Sequence, residues 1–140
     1  MDLVRDFIAD SKDSSQTLDV ARELLEAAFA DRADCDRLLA RHARHWELGR
    51  LAMVDRNILR LAAYELRFDR APPKVVITEA IRLAREFSTA ESPRFINGVL
   101  DAVSREVTAN AQKAGTDAQD TGAPQQWTPT DAENKEDVCS

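Results

Sequence analysis

Apolar side chains recur every three or four positions through most of the first 107 residues, and this spacing is the strongest constraint on the fold. At about 100° per residue, it gathers apolar side chains on one helix face and charged side chains on the other. The pattern predicts helices over 18–29, 50–68, 74–87 and 93–107, with shorter ones over 2–10 and about 33–45. The strand-like run Val75–Thr78 fits the helical period equally well. The predicted fold class is therefore all-α, a helical bundle without a sheet.

Prolines mark two of the predicted helix boundaries. Pro72-Pro73 predicts the end of one helix and the start of the next, because proline lacks an N–H and disfavours helix just before it. Ser92-Pro93 predicts a capping hydroxyl followed by a proline at the first helical position.

The composition changes near residue 108, where large apolar side chains become rare. Residues 110–140 contain no Leu, Ile or Phe, and residues 108–140 carry six acidic residues against two lysines. Such a segment buries too little surface to offset the entropy lost on ordering it. We expect a helical domain over 1–107 and a disordered acidic tail over 108–140. Of the net charge of −6, only −2 then belongs to the domain, which leaves room for local basic patches.

The sequence contains no arrangement of residues typical of a catalytic or metal site. His42 and His45 could share a metal, but a zinc site needs about four ligands and nothing nearby supplies the others. Acidic neighbours would raise the pKa of the Cys35 thiol and make it a poorer nucleophile. The glycines are isolated and form no phosphate-binding loop. We expect no enzymatic activity, no cofactor and no metal.

Several features predict a cytoplasmic protein without a membrane segment. The first residues lack the basic and apolar regions of a signal peptide. No apolar run approaches the roughly 20 residues that a membrane-spanning helix needs. Cys35 and Cys139 are far apart and form no disulfide framework, which favours a reducing compartment.

The predicted helix over 50–68 carries two features with alternative interpretations. Arg56, Arg60 and Arg67 form one stripe opposite the apolar face, which is either a solvated surface or an edge that contacts phosphate or protein. Glu65 falls in the middle of the apolar face. Because an unpaired buried carboxylate is costly, we expect Glu65 to be a structural group that caps a helix or pairs with an arginine.

Three sequence blocks together resemble the NusB family of transcription antitermination factors. They are VDRNILRLAAYEL at Val54–Leu66, preceded by Trp46; ITEAIRLAREF at Ile77–Phe87; and FINGVLD at Phe95–Asp101. Their order and spacing agree with the family pattern, and the resemblance covers about 18–105.

The resemblance implies an all-helical RNA-binding domain that acts in transcription antitermination and has no enzymatic activity. It implies three partners: boxA RNA of ribosomal RNA operons, NusE (a small-subunit ribosomal protein) and the RNA polymerase antitermination complex. By position in the family, the RNA-binding residues would be Phe87, Glu91, Arg94 and Phe95. The edge that faces NusE would include Asp55.

The chain departs from the family pattern at its N-terminus, where family members carry an arginine-rich first helix. We expect the chain to begin after that helix, either because its start is assigned late or because it is a shortened relative. Leu3, Phe7, Leu24 or neighbouring apolar residues would then line an open groove.

Two alternative functions follow from the same resemblance. In one, the chain is a NusB-like protein-interaction module without autonomous RNA binding, and the groove accepts a partner's helix. In the other, it is the N-terminal part of a ribosomal RNA cytosine methyltransferase. The polar segment after residue 108, where a catalytic domain would follow, argues against the second alternative.

Overall fold

The computed structural model describes residues 12–43 and 47–119, with side chains up to residue 115, and this part of the chain is helical without a strand. Within these described residues, five α-helices and one short 3₁₀ helix (Leu48–Arg50) follow in order. The α-helices are α1 (Ser15–Ala30), α2 (Arg32–His42), α3 (Met53–Arg67), α4 (Pro73–Phe87) and α5 (Ser92–Gln119). The prediction of an all-α fold without a sheet is confirmed.

The helix ends follow from local chemistry. The Ser14 hydroxyl caps α1 by accepting a hydrogen bond from the N–H of Thr17 at 3.3 Å. At the end of α3, Asp69 adopts a positive φ of 49°, the N–H of Arg70 donates to the carbonyl of Glu65, and the N–H of Asp69 donates to that of Leu66. This is a Schellman ending, with aspartate in place of the usual glycine. Pro73 then opens α4, as predicted from the sequence.

The hydrophobic core lies between α2, α3, α4 and α5. The largest fully buried apolar side chains are Leu39, Leu59, Ile96, Leu100 and Val103. Smaller residues of α4 (Val76, Ala80 and Ala84) are buried in the same cluster, which lets that helix approach closely. Val76 belongs to the strand-like run of the sequence, so the helical period decided its structure.

The arginine stripe of α3 is held by ion pairs to α2 and to the residue before it. Arg60 makes two parallel hydrogen bonds to the Asp36 carboxylate at 2.7 and 2.6 Å. Arg67 pairs with Asp31. The guanidinium groups of Arg60 and Arg67 thus have carboxylate partners within the fold, an arrangement that neither the solvated-surface nor the contact-edge interpretation included. Arg56 differs, since its Nε is buried without a hydrogen-bond partner among the described residues.

The last helix extends beyond the predicted domain boundary. α5 continues to Gln119, whereas the composition predicted disorder from residue 108. Residues 108–115 are exposed, as the lack of large apolar side chains implies. Alanine, glutamine and lysine are good helix formers, and extending an existing helix avoids the cost of nucleation, so the helix needs no burial to continue.

Several predictions fall outside the described residues: the short helix over 2–10, His45, Trp46, and the tail over 120–140. No helix in the described part of the chain is long and apolar enough to cross a membrane.

Candidate RNA and protein interface

An open groove of about 820 Å³ lies where the start of α3 meets the start of α5, and we call it the polar groove. Its charged, histidine and aromatic lining residues are His42, Arg50, Asp55, Glu91, Arg94 and Phe95, and Ser92 and Gly98 lie beside them. The 3₁₀ helix contributes Arg50, and the turn before α5 contributes Glu91. Cationic, anionic and aromatic groups thus converge on one concave surface.

The wall of the polar groove is fixed by a hydrogen bond between two helix starts. Ser92 Oγ donates to Asp55 Oδ2 at 2.8 Å, and it lies 2.9 Å from both Ser88 Oγ and Thr89 Oγ1. A hydroxyl has one proton and two lone pairs, so Ser92 donates to Asp55 and accepts from Ser88 and Thr89. The predicted capping role of Ser92 is thereby corrected: its hydroxyl joins α5 to α3.

Four of the five residues that the family resemblance selected lie together in the polar groove. Arg94 and Glu91 are exposed, whereas Phe95 is partly buried and packs against the core. Phe87 is separate, because it lies in a different groove, where the residue is 61% exposed. The geometry thus groups Glu91, Arg94 and Phe95 with Asp55 and not with Phe87. The binding roles of all five residues remain predictions.

Asp55 is less accessible than an interface edge residue would be. The residue is only 7% exposed, and its Oδ1 has no hydrogen-bond partner among the described residues. An unsatisfied buried oxygen of this kind costs free energy, which a donor entering from the groove would recover. Asp55 can therefore offer a binding partner a single acceptor atom, Oδ1, deep in the groove. It offers no broad contact surface.

Sequence reasoning missed Arg50 and gave no role to Gly98. Arg50 pairs with Glu47 at 3.0 Å in a strongly exposed contact, and no motif marks it. Gly98 lies inside α5, where glycine costs about 1 kcal/mol relative to alanine. A Cβ built at Gly98 meets nothing within 4 Å, so packing within the described chain does not require glycine here. Its missing side chain leaves the groove wall open to a ligand.

Glu65 does not behave as predicted. It is partly exposed and forms no hydrogen bond or ion pair through its side chain among the described residues. Burial raises the pKa of its carboxyl above the ordinary value of 4.5, Arg70 opposes this shift and Glu79 adds to it. The prediction of a capping or paired structural carboxylate is wrong, since position on a helix face does not determine what covers that face.

Cys35 is a core residue, and His42 takes part in a contact between two helices. Cys35 is fully buried, and burial followed by its hydrogen bond to Asp31 raises the pKa of its thiol to about 11. The expected direction of this shift is confirmed, although burial contributes more than the acidic neighbours. His42 and Arg41 both contact the Glu106 carboxylate, which ties α2 to α5. The described residues contain no cluster of side chains that could hold a metal ion.

Comparison with known proteins gives one consistent answer. The NusB family model matches residues 1–105. The NusB transcription antitermination protein of Koribacter versatilis is 44% identical over 109 residues, which are 76% of this chain and 75% of that protein. That of Solibacter usitatus is 49% identical over 85 residues, which are 61% and 58% of the two chains. A solved structure of T. maritima NusB superposes with a TM-score of 0.63 at 38% identity over 66% of each chain.

The chain belongs to the NusB family. The three blocks that suggested this family lie in α3, α4 and α5, so the resemblance and the fold rest on the same residues. NusB proteins are non-enzymatic transcription antitermination factors.

A second groove of about 550 Å³ lies between α1, α3 and α4, and we call it the apolar groove. Its lining includes Leu25, Phe29, Val54, Leu83 and Phe87, and four of these five side chains are substantially exposed. Of the residues predicted to line a groove left by the absent helix of the NusB family, Leu24 packs against the core, and its neighbour Leu25 lines the apolar groove. The predicted lining residues at positions 3 and 7 lie outside the described part of the chain.

Proposed function

We propose that this chain is a NusB-type transcription antitermination factor that binds boxA RNA of ribosomal RNA operons together with NusE. The observation that carries the proposal is the convergence of Glu91, Arg94 and Phe95 with Asp55 on the polar groove. The three-block resemblance selects these residues by sequence position, and a single concave surface holds them.

The chemistry of the polar groove suits a single-stranded nucleic acid. Arg94 provides an exposed guanidinium for a phosphate, and Phe95 provides part of an aromatic surface. Unpaired bases present hydrogen-bond donors, and Asp55 Oδ1 is a buried acceptor without a partner among the described residues. At Gly98 a chain can approach the α5 backbone closely. NusE would complete the footprint from the side of Asp55.

The test is a titration of boxA RNA and a scrambled control with the full chain, with and without NusE. We expect NusE to strengthen the preference for boxA, and Arg94→Gln to weaken binding about fivefold with a smaller dependence on salt. Arg82→Gln is the matched control, because Arg82 is exposed but already paired with Glu79 and Glu86. If NusE produces no preference for boxA over the scrambled RNA, the proposal is wrong.

A protein-interaction module without autonomous RNA binding is the second candidate function, and the apolar groove favours it. Its exposed phenylalanines and leucine suit the apolar face of an amphipathic helix from a partner protein. In this case the chain would bind NusE without any preference for boxA, and Phe29→Ser in the apolar groove would weaken NusE binding. Retained NusE binding in Phe29→Ser would exclude this role for the groove.

A further inference from the structure

A smaller depression lies between α4 and α5, next to the polar groove, and we call it the arginine notch. Its polar lining consists of Arg85, Thr89, Arg94 and Asn97, and its volume is about 450 Å³. Thr89 and Arg94 also line the polar groove. The two depressions therefore share a wall, and a chain lying in one can continue into the other.

The arginine notch has an uncompensated positive charge. No acidic side chain is among its described lining residues, and neither Arg85 nor Arg94 forms an ion pair in the described part of the chain. Arg82 shows the contrast, because it lies one helical turn before Arg85 and binds Glu79 at 3.0 Å and Glu86 at 3.4 Å. Arg85 is thus available to an external anion, whereas Arg82 is occupied.

The polar groove is electrostatically different. There Arg50 and Arg94 face Asp55 and Glu91, so the formal charges cancel. A phosphate in the polar groove would meet two carboxylates as well as two guanidinium groups, whereas a phosphate in the arginine notch would meet two guanidinium groups and no carboxylate among the described lining residues. Asn97 and Thr89 add neutral groups that can donate hydrogen bonds to phosphate oxygens.

We propose that the arginine notch binds the phosphodiester backbone of single-stranded RNA, with Arg85 and Asn97 as RNA-binding residues beyond those that the family resemblance selects. Arg94 stands at the shared wall and orients the strand, with phosphates toward the notch and bases toward the polar groove. This inference rests on the proposed function and extends its RNA footprint across α4.

The experiment compares Arg85→Gln with Arg82→Gln in the full chain with NusE. Binding of boxA RNA and scrambled RNA is measured by fluorescence anisotropy at several salt concentrations. Because a phosphate contact carries no sequence information, we expect Arg85→Gln to weaken the binding of both RNAs by a similar factor, about fivefold. The slope of log K against log salt should fall by about 0.7, the value for one phosphate of a single strand. Arg82→Gln should change neither quantity.

The outcomes separate this inference from the proposed function. If Arg85→Gln binds both RNAs as the unchanged chain does while Arg94→Gln binds more weakly, the arginine notch is not a phosphate site and the proposed function stands. If the unchanged chain shows no boxA preference but Arg85→Gln still lowers the salt slope, the notch is supported and the proposed function fails. Urea denaturation checks that both exposed-site variants are folded.

Discussion

Ser92 Oγ donates a 2.8 Å hydrogen bond to Asp55 Oδ2 across 37 residues of sequence, and this bond joins the first turns of α3 and α5. Both side chains are buried, and Asp55 Oδ1 has no partner among the described residues. The carboxylate at the base of the polar groove therefore depends on this one hydroxyl.

We expect Ser92→Ala to lower the free energy of unfolding by about 1–3 kcal/mol, because it leaves a buried carboxylate without its hydrogen-bond donor. Urea denaturation followed by circular dichroism measures the change. Ser88→Ala is the control, since Ser88 hydrogen-bonds to Ser92 but does not contact Asp55. Equal effects of the two variants would show that the Asp55 contact adds nothing to stability.

The ion pair between Arg60 and Asp36 gives a second prediction. Its two parallel hydrogen bonds at 2.7 and 2.6 Å are partly shielded, with side chains 26% and 31% exposed. In a double-mutant cycle with Arg60→Ala and Asp36→Ala, we expect a coupling free energy of about 1 kcal/mol, the upper end for partly exposed pairs. The more exposed Arg82–Glu79 pair should give a coupling close to zero. A larger coupling for Arg82–Glu79 than for Arg60–Asp36 would contradict this ranking.

The helices could be predicted because periodicity is a local property of the sequence. Val75–Thr78 shows this, since its strand-forming residues follow the helical period and lie in α4. The partners of Arg60 and Arg67 could not be predicted in the same way. Their carboxylates lie 24 and 36 residues away in sequence, and only the packing of the helices brings them together.

The candidate site could be predicted only in part, because some of its residues are close together in sequence and others are not. Glu91, Arg94 and Phe95 are neighbours in sequence, so their position in the family pattern selects them together. Arg50 joins them only through the position of the 3₁₀ helix. Asp55 was predicted to face a partner protein, but its burial depends on contacts that helix periodicity does not describe.

Glu65 gives a third prediction, which concerns the free energy of unfolding. A paired structural carboxylate, as the sequence predicted, would stabilise the fold, whereas the structure indicates that ionised Glu65 destabilises it. Because burial raises its pKa in the folded chain, ionised Glu65 favours unfolding at neutral pH. We expect Glu65→Gln to raise the free energy of unfolding at pH 7. This gain should decrease as the pH falls toward 4.5, the ordinary value, below which the carboxyl is protonated in both states. Urea denaturation between pH 4 and 7 tests this, and a loss of stability at pH 7 would indicate that ionised Glu65 has a favourable partner.

Glu106 gives the opposite pH dependence. The hydrogen bond from His42, and to a smaller extent that from Arg41, lowers the pKa of its carboxyl below the ordinary value of 4.5. A lowered pKa in the folded chain means that the contribution of Glu106 to stability is complete above about 4.5 and is lost as the pH falls through the folded-state pKa. Acid should therefore loosen the contact between α2 and α5.

We expect Glu106→Gln to be less stable than the unchanged chain at pH 5.5, and the difference to shrink as the pH approaches 3. Denaturation with urea at constant ionic strength between pH 3 and 5.5 measures it. Asp101→Asn is a suitable control, because Asp101 forms only an exposed ion pair with Arg105 on the same helix, and such pairs contribute little to stability. If the difference for Glu106→Gln stays constant over this range, the charge of Glu106 does not hold α2 against α5. The contacts of His42 and Arg41 would then stabilise the fold independently of that charge.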